Sequence, residues 1–280
     1  MTNWPTTYLD GQWIDPSTSG ALPFVNRGLL FGDGLFETIR VFNGKIPFWP
    51  LHLERLQKGC AFLGLDLPDS FISHFQSDIL TEFPRQIPNA RIRLTVFRKG
   101  VGKYTPPTRE AHYLVQWNPL EGDFWPFPET GLKVGRYPIQ ATPGFPLCQH
   151  KTLSALPYVL ASQFRAKSDF DEVLLANHRG EWVEASSSNL FCFWQGSWYT
   201  PPVEAGCLAG TTRAVLIRTL QALGWPIQVA ICTEQMLREA EHLWLCNSIQ
   251  GIRWVASLEE ESYTKGPLAE IHSTIQQTYL

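Results

Sequence analysis

Along this chain the spacing of apolar and polar residues changes period several times, and each change marks an element. Arg91-Ile92-Arg93-Leu94-Thr95-Val96 alternates strictly, which predicts a strand with Arg91, Arg93 and Thr95 on one face, followed by a second strand from Ala111 to Trp117. Tyr8-Leu9-Asp10-Gly11-Gln12-Trp13-Ile14 has the pattern of a hairpin, and Asn43-Gly44 repeats the device between Leu35–Phe42 and Lys45–Trp49; both turns predict antiparallel strands. Pro50 suits a first helical position, Leu53, Leu56, Cys60 and Leu63 fall on one stripe, and Gly64 is a stop. These describe a short amphipathic helix with Arg55 at the margin of its stripe.

The stretch from Asn118 to Gly131 is rich in Pro, Gly and acidic residues and separates two patterned regions, so the domain boundary is expected there. That gives a small lobe over residues 1–118, a linker over 119–131 and a larger lobe over 132–280. In the larger lobe Ser154 can cap a helix carrying Leu156, Leu160 and Phe164, with Pro157 tolerated in the first turn. Strands are predicted at Glu172–Ala176, Glu181–Ala185, Asn189–Trp194, Ile227–Cys232 and His242–Cys246, with turns at Asn177–Gly180 and Gln195-Gly196. Gly210-Thr211-Thr212 opens a helix that Gly224 and Pro226 close.

Composition narrows the function classes. At 280 residues, 44% hydrophobic and 18% charged, the chain can bury two cores. Its net charge is −3 and its basic residues are scattered, so no stripe exists to neutralise a nucleic acid backbone. No apolar run approaches the ~20 residues that span a bilayer, and Met1-Thr-Asn-Trp-Pro5 lacks a signal-peptide pattern, so a cytoplasmic protein without a membrane partner is expected. The six cysteines at 60, 148, 192, 207, 232 and 246 show no metal-ligand spacing and read as buried thiols. Gly100-Val101-Gly102-Lys103 fails as a phosphate loop because Phe97 stands where Gly is needed and Tyr104 where Ser or Thr is. The chain has no G-x-G-x-x-G, G-x-S-x-G or H-E-x-x-H either, which leaves chemistry supplied by an external cofactor.

Pyridoxal 5'-phosphate (PLP) asks for a lysine, an anion site for its phosphate and a carboxylate beside the pyridine nitrogen. Gly210-Thr211-Thr212 at a helix start offers free N–H groups and hydroxyls for an anion, to which Arg55 could add a charge-assisted contact. Glu184 closes an apolar strand, where a carboxylate should meet a cation. Lys151 lies between a Pro/Gly-containing stretch and a helix start. Each also has a plainer reading: Thr211 as a helix cap, Glu184 as a rim residue in water, Lys151 as a solvated lysine. Composition does not single out the lysine.

Five segments in order do. Arg27-Gly-Leu-Leu-Phe-Gly-Asp-Gly-Leu-Phe-Glu-Thr-Ile-Arg40, His52-Leu-Glu-Arg-Leu56, Lys151-Thr-Leu-Ser154, Glu181-Trp-Val-Glu-Ala-Ser-Ser-Ser-Asn-Leu-Phe191 and Leu208-Ala-Gly-Thr-Thr-Arg213 resemble the class IV (fold type IV) aminotransferase family of PLP enzymes, from about Asn26 to Ser248. That family includes branched-chain and D-amino acid aminotransferases and aminodeoxychorismate lyase. The resemblance implies a two-domain α+β fold, a small N-terminal α/β lobe and a larger C-terminal pseudo-barrel lobe, assembled as a homodimer. It implies a Schiff base on Lys151, Glu184 at the pyridine nitrogen, and Arg55, Ser188, Asn189, Gly210, Thr211, Thr212 and Ser248 around the cofactor.

For the reaction, substrate-side residues must decide. D-amino acid aminotransferases resemble a pattern with an R-x-H carboxylate trap after the central strand, and Arg98-Lys99-Gly100 lacks that histidine. Aminodeoxychorismate lyase looks closer: Gly-Asp-Gly-x-Phe-x-Thr brings Thr38 beside the cofactor as a catalytic group, Arg93 and Lys103 are cations for a substrate with two carboxylates, and Cys246-Asn247 makes Asn247 a further substrate contact. Arg93 and Lys103 also read as surface charge. The expected activity is conversion of 4-amino-4-deoxychorismate to 4-aminobenzoate and pyruvate. The alternatives are a branched-chain aminotransferase using 2-oxoglutarate, which shares the arginine at 93, and a non-catalytic binding protein on the same scaffold.

Overall fold

The computed structural model describes residues 7–14 (of Trp13 the backbone alone), 26–75, 89–140, 142 and 146–280. The chain's start and most of the Pro/Gly stretch ahead of Lys151 lie outside them. Two compact units result: Met1–Phe124 with His150–Ser154, and Trp125–Gln149 with Ala155–Leu280. The division falls inside the segment expected as a linker, and the five residues around Lys151 sort with the first unit.

In the first unit β1 (Thr7–Leu9) and β2 (Gln12–Ile14) form the expected hairpin, turned by Asp10 and Gly11 at φ 46° and 96°. After α1 (Arg27–Phe31) come β3 (Gly34–Val41), α2 (Trp49–Leu63), the single turn α3 (Phe71–His74), β4 (Ala90–Arg98) and β5 (Ala111–Pro119). The sheet order is β2-β1-β5-β4-β3, antiparallel throughout. The alternation of β4 puts Ile92, Leu94 and Val96 in the core with Leu56 and Cys60 of α2, while Arg91, Arg93 and Thr95 share the other face. Burying a leucine such as Leu56, 2% exposed, stabilises this packing by about 1.5–3 kcal/mol.

Two expectations here need correction. The Asn43-Gly44 turn forms, but Phe42 and Lys45 make a lone bridge and no strand follows to Trp49. Pro47 has no N–H to donate to a ladder, and Trp49 already opens α2. Arg55 is not at a margin but buried, because α2 turns it into the sheet beside His52.

In the second unit β6 (Leu132–Arg136), α4 (Leu156–Ala166), β7 (Glu172–Ala176), β8 (Trp182–Ala185), β9 (Asn189–Trp194), β10 (Ser197–Thr200), α5 (Thr211–Ala222), β11 (Ile227–Val229), α6 (Glu234–Glu239), β12 (His242–Asn247), β13 (Gly251–Leu258), β14 (Glu261–Ser262) and α7 (Leu268–Tyr279) follow. The strands run β11-β10-β9-β12-β13-β6-β7-β8 with β14 beside β13, and β8 pairs again with β9 through Glu184 and Asn189. That pairing closes six strands into a barrel-like sheet around Val134, Leu174, Leu190, Leu245 and Val255.

The helix after Lys151 differs from expectation. Its N-cap is Ala155, with no side-chain cap, and Ser154 sorts with the first unit, where its hydroxyl lies against Gly32. Leu156 and Leu160 are exposed, at 65% and 45%, because α4 packs on β7 through Tyr158, Ala161 and Phe164 instead. The strand expected over Ile227–Cys232 stops at Val229, and Cys232 makes only an isolated bridge. All six cysteines are free and buried.

Candidate active site

Sequence candidates Thr38, Arg55, Arg93, Lys103 and Lys151 belong to the first unit; the rest belong to the second. The Lys151 segment runs along β3 like an added strand. Phe36 N–H donates to the Lys151 carbonyl at 2.8 Å, Leu153 N–H donates to Gly34 O at 2.9 Å, and Thr152 bridges Leu35. Backbone so clamped fixes where the side chain starts. The half-buried amine ends 4.4 Å from the centroid of the Phe36 ring, and the Arg93 guanidinium lies 3.9 Å from the same centroid. Thr38 stands directly opposite Arg93 on β3, and both line a cleft of about 350 Å³. Lys103 is exposed on the loop between β4 and β5, outside that lining, and its carbonyl accepts from Arg27 at 2.6 Å.

Beneath the other face of β3 lies a buried ionic cluster. Arg55 donates through Nε and a terminal nitrogen to the two oxygens of Glu37, at 2.8 and 2.5 Å, and His52 Nδ1 lies 2.7 Å from Glu37 Oε2. Burial pushes the Glu37 carboxyl up, but Arg55 and His52 outweigh it and bring it down to about 2. Burial also lowers His52, and Glu37 offsets this only in part.

In the second unit Glu184, 3% exposed, accepts from the Tyr158 hydroxyl at 2.7 Å and from Leu208 N–H at 2.9 Å. Burial, then the charge of Glu184, raises Tyr158, which stays a neutral donor. Asn189, paired with Glu184 across the barrel closure, donates to Leu208 O at 2.9 Å. The same stretch then enters α5 at Gly210, where a Cβ would overlap the Asn189 carboxamide oxygen. No side chain caps α5, Thr211 and Thr212 are buried, and the Thr212 hydroxyl has no hydrogen-bond partner among the described residues. Uncapped first-turn N–H groups, a helix dipole and a free hydroxyl make an anion site. Asn247 donates to Ser188 Oγ at 3.1 Å and accepts from Ile249 and Gln250 N–H, which turns the chain at Ser248. Ser248 O accepts from Trp125 Nε1 at 3.1 Å.

The class IV aminotransferase family model matches residues 34–258. This chain belongs to that family. The D-alanine aminotransferase of Staphylococcus aureus (strain MW2) is 28% identical over 97% of this chain and 95% of its own length. An aminodeoxychorismate lyase of Vibrio harveyi is 25% identical over 94% and 97%. The crystal structure of 4-amino-4-deoxychorismate lyase from Pseudomonas aeruginosa superposes with TM-score 0.85 at 25% identity, covering 97% and 98%. Named relatives thus divide between lyase and aminotransferase. The fold is type IV, α+β, and the class IV family is PLP-dependent.

The residues of this class IV chain fit that cofactor: a half-buried lysine, a buried carboxylate that accepts from Tyr158 and Leu208 N–H, and an uncapped helix start with a buried hydroxyl that has no partner among the described residues. Sequence reading overlooked Glu37, His52 and Tyr158, which brace the candidates. A signal existed for two of them, since Glu37 is a charge at an inward position of β3 and His52 stands three residues before Arg55 on the helix. Tyr158 had none, because its partner lies 26 residues away.

Arg98, the only arginine of the Arg98-Lys99-Gly100 segment, is 4% exposed. Its Nε and one terminal nitrogen hold Asp33 at 2.9 and 3.3 Å, and the terminal nitrogens donate to Gly64 O, Thr108 O and Leu63 O. A guanidinium has five N–H donors, and all are engaged within the unit.

Proposed function

We propose that this PLP-dependent class IV enzyme is an aminodeoxychorismate lyase, eliminating pyruvate from 4-amino-4-deoxychorismate to leave 4-aminobenzoate. The observation that carries this reading against the D-amino acid aminotransferases is Arg98. With every donor bound to Asp33 and backbone carbonyls, it has none for an amino acid carboxylate, so the trap of the D-amino acid enzymes is closed. Arg93 and Thr38, facing a polar cleft beside the lysine's ring, take the carboxylate role instead.

In this reading Thr211 and Thr212, with Gly210, Ser188, Asn189 and Ser248 shaping the surroundings, hold the cofactor phosphate together with Arg55, and Glu184 keeps the pyridine nitrogen protonated. PLP supplies an electron sink for the carbon that bears the substrate amine. Lys151 removes the proton from substrate C4, and the enolpyruvyl oxygen departs as the ring becomes aromatic. Tyr158 and Leu208 N–H keep Glu184 aimed. Asn247 adds a further substrate contact, while Lys103, exposed and outside the cleft lining, is left without one in this reading. The enzyme works as a cytoplasmic homodimer, and Leu156, Val159 and Leu160, exposed at i, i+3 and i+4 on α4, are apolar surface that a second subunit would cover.

PLP-loaded protein given 4-amino-4-deoxychorismate should release pyruvate and 4-aminobenzoate, and with branched-chain amino acids plus 2-oxoglutarate it should form little glutamate. Glutamate without pyruvate would overturn the lyase assignment. Lys151→Ala should remove both activity and the borohydride-reducible yellow adduct; a persisting adduct would mean that another amine carries the cofactor.

A further inference from the structure

The face of the first unit's sheet that turns away from α2 carries more positive charge than the proposed chemistry uses. Arg40 and Arg91 are paired across β3 and β4, and Arg93 follows Arg91 two residues on along the same face. Arg91 and Arg93 line the cleft of about 350 Å³ with Thr38, Gln116 and Asn118, all able to donate a hydrogen bond, and no described residue of the lining is a carboxylate. Among the described residues neither guanidinium makes a hydrogen bond or an ion pair; Arg93 has the Phe36 ring as its partner. Behind them Arg40 is 6% exposed, gives one terminal nitrogen to Asp123 O at 3.0 Å, and keeps a buried Nε with no hydrogen-bond partner among the described residues.

Like charges brought this close repel unless something negative lies between them. Burial, then the charge of Arg91, already lowers Arg93, and no acid opposes it. Elsewhere in the unit arginines are matched: Arg27 and Arg98 by Asp33, Arg55 by Glu37, Arg109 by Asp66. The unmatched pair sits where the Lys151 amine and Arg93 share one phenyl ring.

We propose that this cleft binds the substrate as a dianion, one carboxylate toward each guanidinium, with Arg91 a specificity-determining residue beside Arg93. The inference rests on Lys151 being the reactive amine. Two same-face residues of a strand stand ~6.7 Å apart, a separation suited to two carboxylates on a short carbon frame rather than to one. The substrate class is therefore an amine carrying two carboxylates, and amines with one or none are discriminated against.

Glutarate tests the cleft, because it has two carboxylates and no amine with which to react. Titrated calorimetrically into PLP-loaded protein, glutarate should bind at least about tenfold more tightly than butyrate, and Arg91→Gln should remove most of that preference. Arg91→Lys, which keeps the charge, should restore part of it. With the reactive substrate, Arg91→Gln should raise KM about tenfold and leave kcat nearly unchanged. Equal affinity for glutarate and butyrate, an unchanged preference in Arg91→Gln, or tighter binding of inorganic phosphate than of glutarate would each overturn the proposal. Loss of the Lys151 assignment would show separately, in the borohydride adduct, since glutarate binding is read without turnover.

Discussion

Two buried glutamates, Glu37 in the first unit and Glu184 in the second, are almost equally hidden from water, at 1% and 3% exposed, yet they are held in different ways. Glu37 meets Arg55 and His52, a cation and an imidazole of its own unit. Glu184 is gripped by a phenol and a backbone N–H, donors that orient a carboxylate without cancelling its charge. The first arrangement is what stability needs of a buried charge; the second is the setting that the proposed contact with the pyridine nitrogen asks for. At the helix start of Thr211 and Thr212 one buried hydroxyl has no partner among the described residues.

The comparison breaks most visibly at Glu37. Glu37→Gln strips Arg55 of its buried counter-charge and should cost about 3–5 kcal/mol in denaturant unfolding. The effect has a pH signature. Because the folded carboxyl titrates near 2 and the ordinary value is 4.5, its stabilisation, about 3 kcal/mol, is present above pH 4.5 and lost as pH falls toward 2. His52 is also lowered, so its contribution is likewise present above its ordinary 6.5 and lost on acidification. Wild-type protein should therefore lose stability between pH 4.5 and 2 more steeply than Glu37→Gln.

Glu184→Gln should invert the pattern. A rate loss of roughly 10²-fold or more is expected, with an unfolding penalty well below that of Glu37→Gln, because Tyr158 and Leu208 N–H, which donate to it, are neutral and can also donate to the glutamine carbonyl. Equal penalties for the two variants would abolish the distinction. Thr212→Val probes the smallest effect: PLP affinity should fall about three- to tenfold, while the cofactor-free protein keeps its stability or gains up to ~1 kcal/mol from losing an unsatisfied hydroxyl. Destabilisation of the cofactor-free variant would show that the hydroxyl is bonded within the chain.

Much of this was legible along the chain. The strict alternation of β4, the stripe and stop of α2, β7 and β9 at their full lengths, and the opening of α5 at Gly210 all follow from local pattern. What escaped it has physical causes. β10, four residues long, is too short to show a period, β11 forms but ends three residues short of the strand expected there, and β13 alternates only weakly. On α4 the apolar stripe misled, since Leu156 and Leu160 face out and the helix docks by Tyr158, Ala161 and Phe164.

By itself, then, the sequence determined which residues stand together on a strand face or at a helix start, because backbone geometry fixes the periods of two and 3.6. Only tertiary structure decided which charges are answered and which are not: Glu37 finds Arg55 eighteen residues on, Tyr158 finds Glu184 across twenty-six, and Arg91 with Arg93 find no anion in the described chain. Electrostatic compensation depends on distance in space and on exclusion of water, and neither is written in the local order of residues.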